Sequence, residues 1–435
     1  MLGRVTLAAA LAASLAPSSA RAEAYRFTKG PFLQGLSAAS VSVRWEGSEP
    51  QGGVIEVTGP DGKTRKAVTE EKSPFHALTV DGLSPATAYS YRVKVGDVSS
   101  HEGRFTTAPP DNRPFTFLLY GDNRSDHEAH AAVVKAMQAV PSDFLLNTGD
   151  LVADGDSAAD WAEFFRIEEP LLRDRCLFAC VGNHEMQGNN ANQFLRYFQT
   201  GKDAAGGRSL YFTMRWSSAR FFFLNAFATW GAGPDREWLA GELARADGEA
   251  GLAQRFVVLH QGVGSSGPHG ANKDLFTSGL ADLMRKHKVT LIFAGHDHIY
   301  ERGDADGLKY LLSGGGGAPL YGKYVKKKGY DRATRVVEPV HHFVEIQIDG
   351  PAVKTIARRI DGSTMERCDA RPDGWACDGG LKEVSRQPDP PPSPTTKPTK
   401  KGSCDCSTPG ATPGATPWAL LLPALGLLRR SARRR

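Results

Sequence analysis

The sequence predicts an α/β fold, a two-sheet β-sandwich flanked by helices, preceded by a separate all-β sandwich. Three observations carry this. From Phe115 onward, apolar strand-like runs alternate with helical stretches, the rhythm of a layered α/β domain. From Tyr25 to Ala108, short alternating strands are punctuated by turn residues. Five fragments then recur in order: Gly121-Asp122-Asn123-Arg124, Gly149-Asp150, Gly182-Asn183-His184-Glu185, Val258-Leu259-His260 and Gly295-His296-Asp297-His298. Each follows or closes an expected buried strand, namely Phe115 to Tyr120, Asp143 to Asn147, Cys176 to Val181, Arg255 to Leu259 and Val289 to Ala294. An open α/β sheet places its ligand crevice at the carboxyl ends of its strands, where these polar groups emerge.

Residues 1–22 read as a secretory signal: Arg4, an apolar run from Val5 to Ala16, and an A-x-A site at Ala20-Arg21-Ala22. The first module, residues 25–108, alternates at Val41, Val43 and Trp45 and at Tyr89, Tyr91, Val93 and Val95, and less strictly at Val54, Ile55 and Val57. Turns fall at Gly59-Pro60-Asp61-Gly62, Asp81-Gly82 and Gly96-Asp97. Thr107-Ala108-Pro109-Pro110-Asp111 reads as a hinge.

The second domain spans residues 112–360. Helices are expected over His127 to Ala139, Ala158 to Leu172, Pro234 to Ala246 and Asp274 to His287. Further strands are expected over Ser209 to Met214, Ala219 to Asn225, Tyr310 to Ser313, Phe343 to Ile348 and Val353 to Ala357. Pro234 suits a first helical turn, where its missing N–H is harmless.

Residues 361–386 read as a loop-rich extension, and 387–417 as a Pro/Thr/Ser-rich linker unable to bury a core. Residues 418–435 hold a short apolar stretch, Trp418 to Leu428, then Arg429, Arg430, Arg433, Arg434 and Arg435. That stretch is well short of the roughly 20 residues a membrane span needs.

The formal net charge of +5 falls to −2 once Arg4, Arg21 and the five tail arginines are set aside. The remaining body offers no electrostatic footprint for nucleic acid. Of six cysteines, Cys368 and Cys377 flank a loop rich in Asp, Pro and Gly and suit a small disulfide, permissible in an exported chain. Cys176 and Cys180 lie in or beside a strand and suit packing as small hydrophobes.

Mixed carboxylate, amide and imidazole donors suit borderline metals such as Zn, Mn and Fe. Two such ions, about 3.5–4 Å apart, bracket a phosphoryl group and supply a hydroxide nucleophile. The ordered fragments resemble the calcineurin-like metallophosphoesterase superfamily from about Phe115 to Ala357. Gly295-His296-Asp297-His298-Ile299-Tyr300-Glu301-Arg302 resembles the purple acid phosphatase version of the last motif. The Trp45 strand and the Leu83 to Tyr89 segment resemble a fibronectin type III domain. Ser403-Cys404-Asp405-Cys406 with the apolar and Arg-rich end resembles myxobacterial sorting tails, implying display at the cell surface.

The resemblance implies that Asp150 bridges two divalent or trivalent ions (Fe, Zn or Mn), that Asp122 and His298 complete one site, and that Asn183, His260 and His296 complete the other. It implies that His184 assists the leaving-group oxygen, with Glu185 orienting it or serving as a helix-start carboxylate. In-line attack on a phosphate monoester by a metal-bound hydroxide follows as the expected reaction, on a phosphorylated small molecule.

Two departures stand out. The superfamily's Asp-x-His has Arg124 in its third place, and the Tyr of purple acid phosphatases, three residues after the bridging Asp, is replaced by Ala153. The Asp122-side site thus lacks a ligand, so weaker affinity and an uncoloured protein are expected; water, Asn123 or another residue would fill the position. Arg124 is expected either to bind phosphate or to be structural. Gln261, His269 and Gly314 to Gly317 are expected in the pocket wall, with His269 an exposed loop residue, and Lys326, Lys327 and Lys328 in a solvated loop. The competing readings are a phosphodiesterase acting on nucleotides or phospholipid head groups, and a surface binding protein with a degenerate metal site.

Overall fold

The computed structural model describes residues 24–110, 112–198, 201–202, 208–321, 334–378 and 380–383. The expected signal, linker, sorting tail and Lys326 to Lys328 lie outside the described residues.

Eight strands build the first module: β1 (Phe27–Gln34), β2 (Ser40–Gly47), β3 (Gly53–Thr58), β4 (Thr64–Thr69), β5 (Phe75–Asp81), β6 (Ala88–Val95), β7 (Val98–Ser99) and β8 (Gly103–Thr106). One sheet runs β1-β2-β5; the other runs β4-β3-β6-β7, with β8 on β6. Period-2 alternation puts Val41, Val43 and Trp45 of β2 into one core with Ile55, Val57, Tyr91 and Val93 of the opposite sheet.

The first two residues of the expected hinge are bonded into the module. Thr107 is buried and its hydroxyl donates to Ser84 O at 2.7 Å, while Ala108 N donates to Ser37 O at 3.0 Å. Contacts also run from the module to the rest of the chain. Tyr91 OH donates to Arg173 O (2.8 Å), Gln34 Nε2 to Leu177 O (3.0 Å) and Arg104 N to Asp174 Oδ1 (2.8 Å). The rings of Phe32 and Phe165 lie 4.7 Å apart.

The larger part contains β9 (Phe115–Tyr120), α1 (His127–Gln138), β10 (Phe144–Asn147), α2 (Ala158–Leu172), β11 (Cys176–Ala179), α3 (Asn183–Met186), α4 (Asn192–Tyr197), β12 (Gly201–Lys202) and β13 (Arg208–Ser209). It continues with β14 (Phe212–Trp216), β15 (Ala219–Phe223), α5 (Pro234–Asp247), β16 (Gln254–Val258), α6 (Asp274–Thr277), α7 (Leu280–Lys286), β17 (Leu291–Ala294), β18 (Tyr300–Ala305) and β19 (Leu308–Ser313). Five strands close it: β20 (Thr334–Glu338), β21 (His342–Asp349), β22 (Ala352–Arg359), β23 (Thr364–Arg371) and β24 (Gly374–Asp378).

One seven-stranded sheet runs β11-β10-β9-β21-β22-β23-β24 and the other β14-β15-β16-β17-β19-β18-β20. Strands β9, β10 and β11 are mutually parallel, as are β15, β16, β17 and β19, so their carboxyl ends gather at one edge of each sheet. Alternation along β9 sends Phe117 and Leu119 into the space between the sheets and Leu118 and Tyr120 toward α1 and α2. Phe117 meets Phe221 and Phe293 of the second sheet edge-on, at 5.4 and 5.7 Å between centroids. A third cluster packs Leu239 and Leu243 of α5 and Leu280 and Met284 of α7 under the second sheet. The result is helix, sheet, sheet, helix, and strands buried on both faces explain why they read as continuous apolar runs.

Three expectations need correction. The helix expected over Asp274 to His287 is two helices, because Gly279 takes φ +72°, a left-handed conformation that ends a helix. The strand expected over Ser209 to Met214 divides into β13 and β14. Within the expected loop extension, residues 364–378 form a hairpin: β23 pairs with β22, β24 pairs with β23, and the Cys368–Cys377 disulfide links cross-strand partners. Its polar, turn-rich composition concealed a hairpin that finishes the first sheet. Cys176 and Cys180 are free and buried, as expected.

His342 lies buried at the start of β21, where its Nδ1 donates to Val340 O (2.8 Å) and its Nε2 accepts from Ser313 Oγ (3.0 Å). Burial chiefly, with His341 nearby, pushes its pKa down to about 4. The folded chain therefore keeps this imidazole neutral while the unfolded chain protonates it below its ordinary value, so its contribution to stability is full above about pH 6.5 and is lost as pH falls toward 4. Denaturant unfolding at pH 7 and pH 4.5 should show a loss on the order of 2–3 kcal/mol from this group, and His342→Gln should have a correspondingly shallower pH slope.

Candidate metal centre

All six expected ligands converge where the parallel strands of both sheets end. Asp122 follows β9, Asp150 follows β10, Asn183 opens α3 after β11, His260 follows β16, and His296 and His298 follow β17. Asp122, Asp150 and His296 adopt positive φ (58°, 56° and 76°), so each turn aims its side chain inward at a conformational cost. Asp122 N and Asn123 N donate to Gly149 O and Asp150 O, which ties the first two loops together.

Close backbone approach depends on glycine. A Cβ on Gly182 would lie 2.1 Å from Asp150 Oδ1, and one on Gly316 would lie 2.3 Å from Gly121 O. The expected turn at Gly314 to Gly317 therefore packs directly on the Asp122 loop, with Gly316 N donating to Gly121 O (2.8 Å) and Ala318 N to Asp122 O (2.7 Å).

On one side of the cleft, His260 Nε2 lies 3.1 Å from Asn183 Oδ1, 3.1 Å from His296 Nδ1 and 3.4 Å from Asp150 Oδ1. His260 Nδ1 donates to Thr148 O (2.8 Å), which leaves Nε2 facing the cluster. Ligand atoms of Asp150, His260 and His296 all lie within 4.8 Å of one another. Four oxygen and nitrogen atoms of metal-ligand type brought this close suit a cation, and this donor set fits a Zn, Mn or Fe ion.

The Asp122 side differs. His298 Nε2 lies 3.7 Å from Asp122 Oδ1 and its Nδ1 donates to Pro319 O (2.7 Å). Between these groups stands the Arg124 guanidinium. Its Nε donates to Asp150 Oδ2 (3.3 Å) and its Nη2 to His298 Nε2 (3.2 Å). The donor set here does not fit a second ion as the chain stands, because the guanidinium takes the His298 lone pair.

The charges follow from burial. Asp122 is fully buried, which pushes its pKa well above the usual carboxylate range; His260 opposes this and the Asp150 charge adds to it. Burial also opposes ionisation of Asp150, but His260 and His184 outweigh it and hold this carboxyl below its ordinary value. Burial disfavours the His260 imidazolium, yet Asp150 and Asp122 outweigh it and raise the pKa to about 9. His296 is driven down to about 3 by burial and then by His260 and His269, and His298 to about 4 by burial and by Arg124.

His184 sits beside Asp150. Its backbone N donates to Asp150 Oδ1 (3.0 Å), its Nδ1 to Ala153 O (2.6 Å), and its Nε2 lies 3.8 Å from Asp150 Oδ2. Position 153 therefore supplies a carbonyl that orients this ring. Of the two roles expected for Glu185, the helix-start carboxylate is the one its bonds show: Gly182 N, just before α3, donates to Oε2 at 2.8 Å. The buried carboxylate also accepts from the backbone N–H groups of Asp150, Leu151 and Val152, and so clamps the Asp150 loop to the Asn183 loop. Burial, then the Asp150 charge, raises its pKa to about 7.

Asn123 is buried, and its Oδ1 accepts from Asn147 Nδ2 at 2.6 Å. Through this bond it braces the ends of β9 and β10, while its Nδ2 is buried with no partner among the described residues. Gln261 Nε2 lies 3.2 Å from His296 Nε2. His269 is exposed, as expected, and its ring lies 4.3 Å from that of His296. Sequence reasoning missed Tyr321, whose ring stacks on His298 at 4.2 Å and whose hydroxyl pairs with His269 Nε2 at 3.0 Å. It also missed Asp297, which accepts from Ser265 Oγ, His269 N and Gly270 N and shapes the loop over the cleft. The adjacency of Asp297 to both ligand histidines was the available signal; Tyr321 offered none.

Comparison with known proteins bears on the domain and its fold. Residues 115–300 match the family described as calcineurin-like phosphoesterase. A probable purple acid phosphatase of Arabidopsis thaliana is 24% identical over 273 residues, covering 60% of this chain and 61% of that protein. The chain thus matches about three-fifths of that relative's length. Among solved structures, a purple acid phosphatase from yellow lupin (Lupinus luteus) superposes with a TM-score of 0.65 at 16% identity, covering 78% of this chain and 73% of that one. A structure of PhoD superposes with a TM-score of 0.66 at 12% identity, covering 86% and 95%. Both share the fold, and the chain carries a calcineurin-like metallophosphoesterase domain.

Proposed function

We propose that the protein is an exported, metal-dependent hydrolase of phosphate monoesters. The observation that carries this reading is the convergence of Asp150, Asn183, His260 and His296 on one point, with His184 beside it. Asp150, Asn183, His260 and His296 would hold the cation, which would supply positive charge to phosphate oxygens and lower the pKa of an attacking water.

The chain's own groups do the rest. Asp150, kept ionised, anchors the cation and holds His184 through the backbone. His184 Nδ1 keeps its proton on Ala153 O, so its Nε2 carries a proton only as the imidazolium, with that proton aimed at the cleft. That position suits protonation of a departing alkoxide. Arg124 adds a fixed guanidinium for phosphate oxygens. The signal at residues 1–22 and the Cys368–Cys377 disulfide support an oxidising, extracytoplasmic setting. Display at the cell surface rests on the sorting-type tail, and a fibronectin type III assignment of residues 25–108 on the eight-stranded module.

Asp150→Asn should reduce p-nitrophenyl phosphate turnover to background while the far-ultraviolet circular dichroism is unchanged; retained turnover would refute the reading. His184→Ala should slow alkyl phosphates by about 10²–10⁴-fold and p-nitrophenyl phosphate much less, since a poor leaving group needs the proton more. Purified, metal-loaded protein should hydrolyse p-nitrophenyl phosphate faster than bis-p-nitrophenyl phosphate. The opposite order would make it a diesterase.

A further inference from the structure

We propose that the Arg124 guanidinium is the second cation of this centre. The chain holds one metal ion, on Asp150, Asn183, His260 and His296, and Arg124 takes the place of a partner ion between Asp122, Asp150 and His298. This rests on the reading that the cleft holds a metal.

Hydrogen-bond direction carries the argument. His298 Nδ1 lies 2.7 Å from Pro319 O, and a carbonyl only accepts, so the ring proton sits on Nδ1. Nε2 is then a pure acceptor with a single in-plane lone pair. Arginine only donates, and its Nη2 lies 3.2 Å from that nitrogen. One lone pair cannot serve an N–H and a metal at once. On its other edge, Arg124 Nε donates to Asp150 Oδ2 (3.3 Å), the oxygen that faces away from the His260 side. On the His260 side it is Oδ1 that lies near the cluster. The bridging carboxylate thus divides its two oxygens between a metal-type donor set and a guanidinium.

Position also argues against a merely solvated arginine. The side chain is 17% exposed, and the third contact of its fork is Ser125 Oγ at 3.4 Å. Asp122 and Asp150 are both buried and need compensating positive charge. A guanidinium supplies it permanently, remains charged at every working pH and cannot be removed by a chelator. It also presents planar N–H donors to a phosphate, where an ion would present an open coordination position.

Elemental analysis of the full chain, equilibrated with excess Mn or Zn and desalted, tests this. Wild type should hold one ion per chain, and His298→Ala should still hold one. Arg124→His, which frees the His298 lone pair and adds an imidazole, should hold two. Arg124→Ala should take up a second ion at high metal concentration. Two ions in wild type, falling to one in His298→Ala, would overturn this inference and leave the proposed hydrolase standing. Arg124→His and Arg124→Ala both remaining at one ion, with wild-type thermal stability, would overturn it as well. No ion in wild type under any condition would overturn both.

Discussion

The constraint on which this cleft depends is the burial of two carboxylates against each other. Asp122 and Asp150 are removed from water at the meeting point of two sheets, and neither is stable there as a bare anion. Every neighbouring group answers that charge. His260 is driven toward its protonated form by the two carboxylates, backbone N–H groups of His184 and His296 bond to Asp150 and Asp122, and Arg124 lies across the remaining gap. A cluster that attracts cations so strongly is suited to a metal and, once loaded, to a substrate that arrives as an anion.

Holding such a cluster together needs rigid backbone. Three of its residues sit at positive φ, which persists only when surrounding structure over-determines it. The Glu185 clamp, the Gly316 turn packed on Gly121, and strands locked by the interleaved phenylalanines between the sheets supply that determination. The first module adds to it from outside. Its bonds to Arg173, Asp174 and Leu177 grip the end of α2 and the start of β11, the strand that leads to Asn183 and His184.

Much of the site was legible before folding was considered, because each ligand follows an apolar run at the end of a strand and its chemistry is carried by residue type. Three sets of contacts were not. Glu185 was expected to orient His184 or to serve as a helix-start carboxylate; it does the latter at Gly182 N, and only the fold shows its further bonds to a loop 33 to 35 residues away. Asn123 was expected at the substrate, and only the fold shows that its Oδ1 pairs with Asn147. Tyr321 is distant in sequence from His298, and only the fold stacks the two rings. The β23–β24 hairpin was missed because polar edge strands give a weak alternating signal.

Local chemistry along the chain therefore determined the layered α/β architecture, the candidate ligands, the absence of imidazole at position 124 and of tyrosine at position 153, and the Cys368–Cys377 pairing. Periodicity and residue type are properties of short segments, and short segments are what a sequence displays. The tertiary structure alone decided where Arg124 points, which oxygen of Asp150 faces which partner, and which loops Glu185 joins. Those depend on directions and distances between segments far apart in the chain, which close packing fixes and no local pattern encodes.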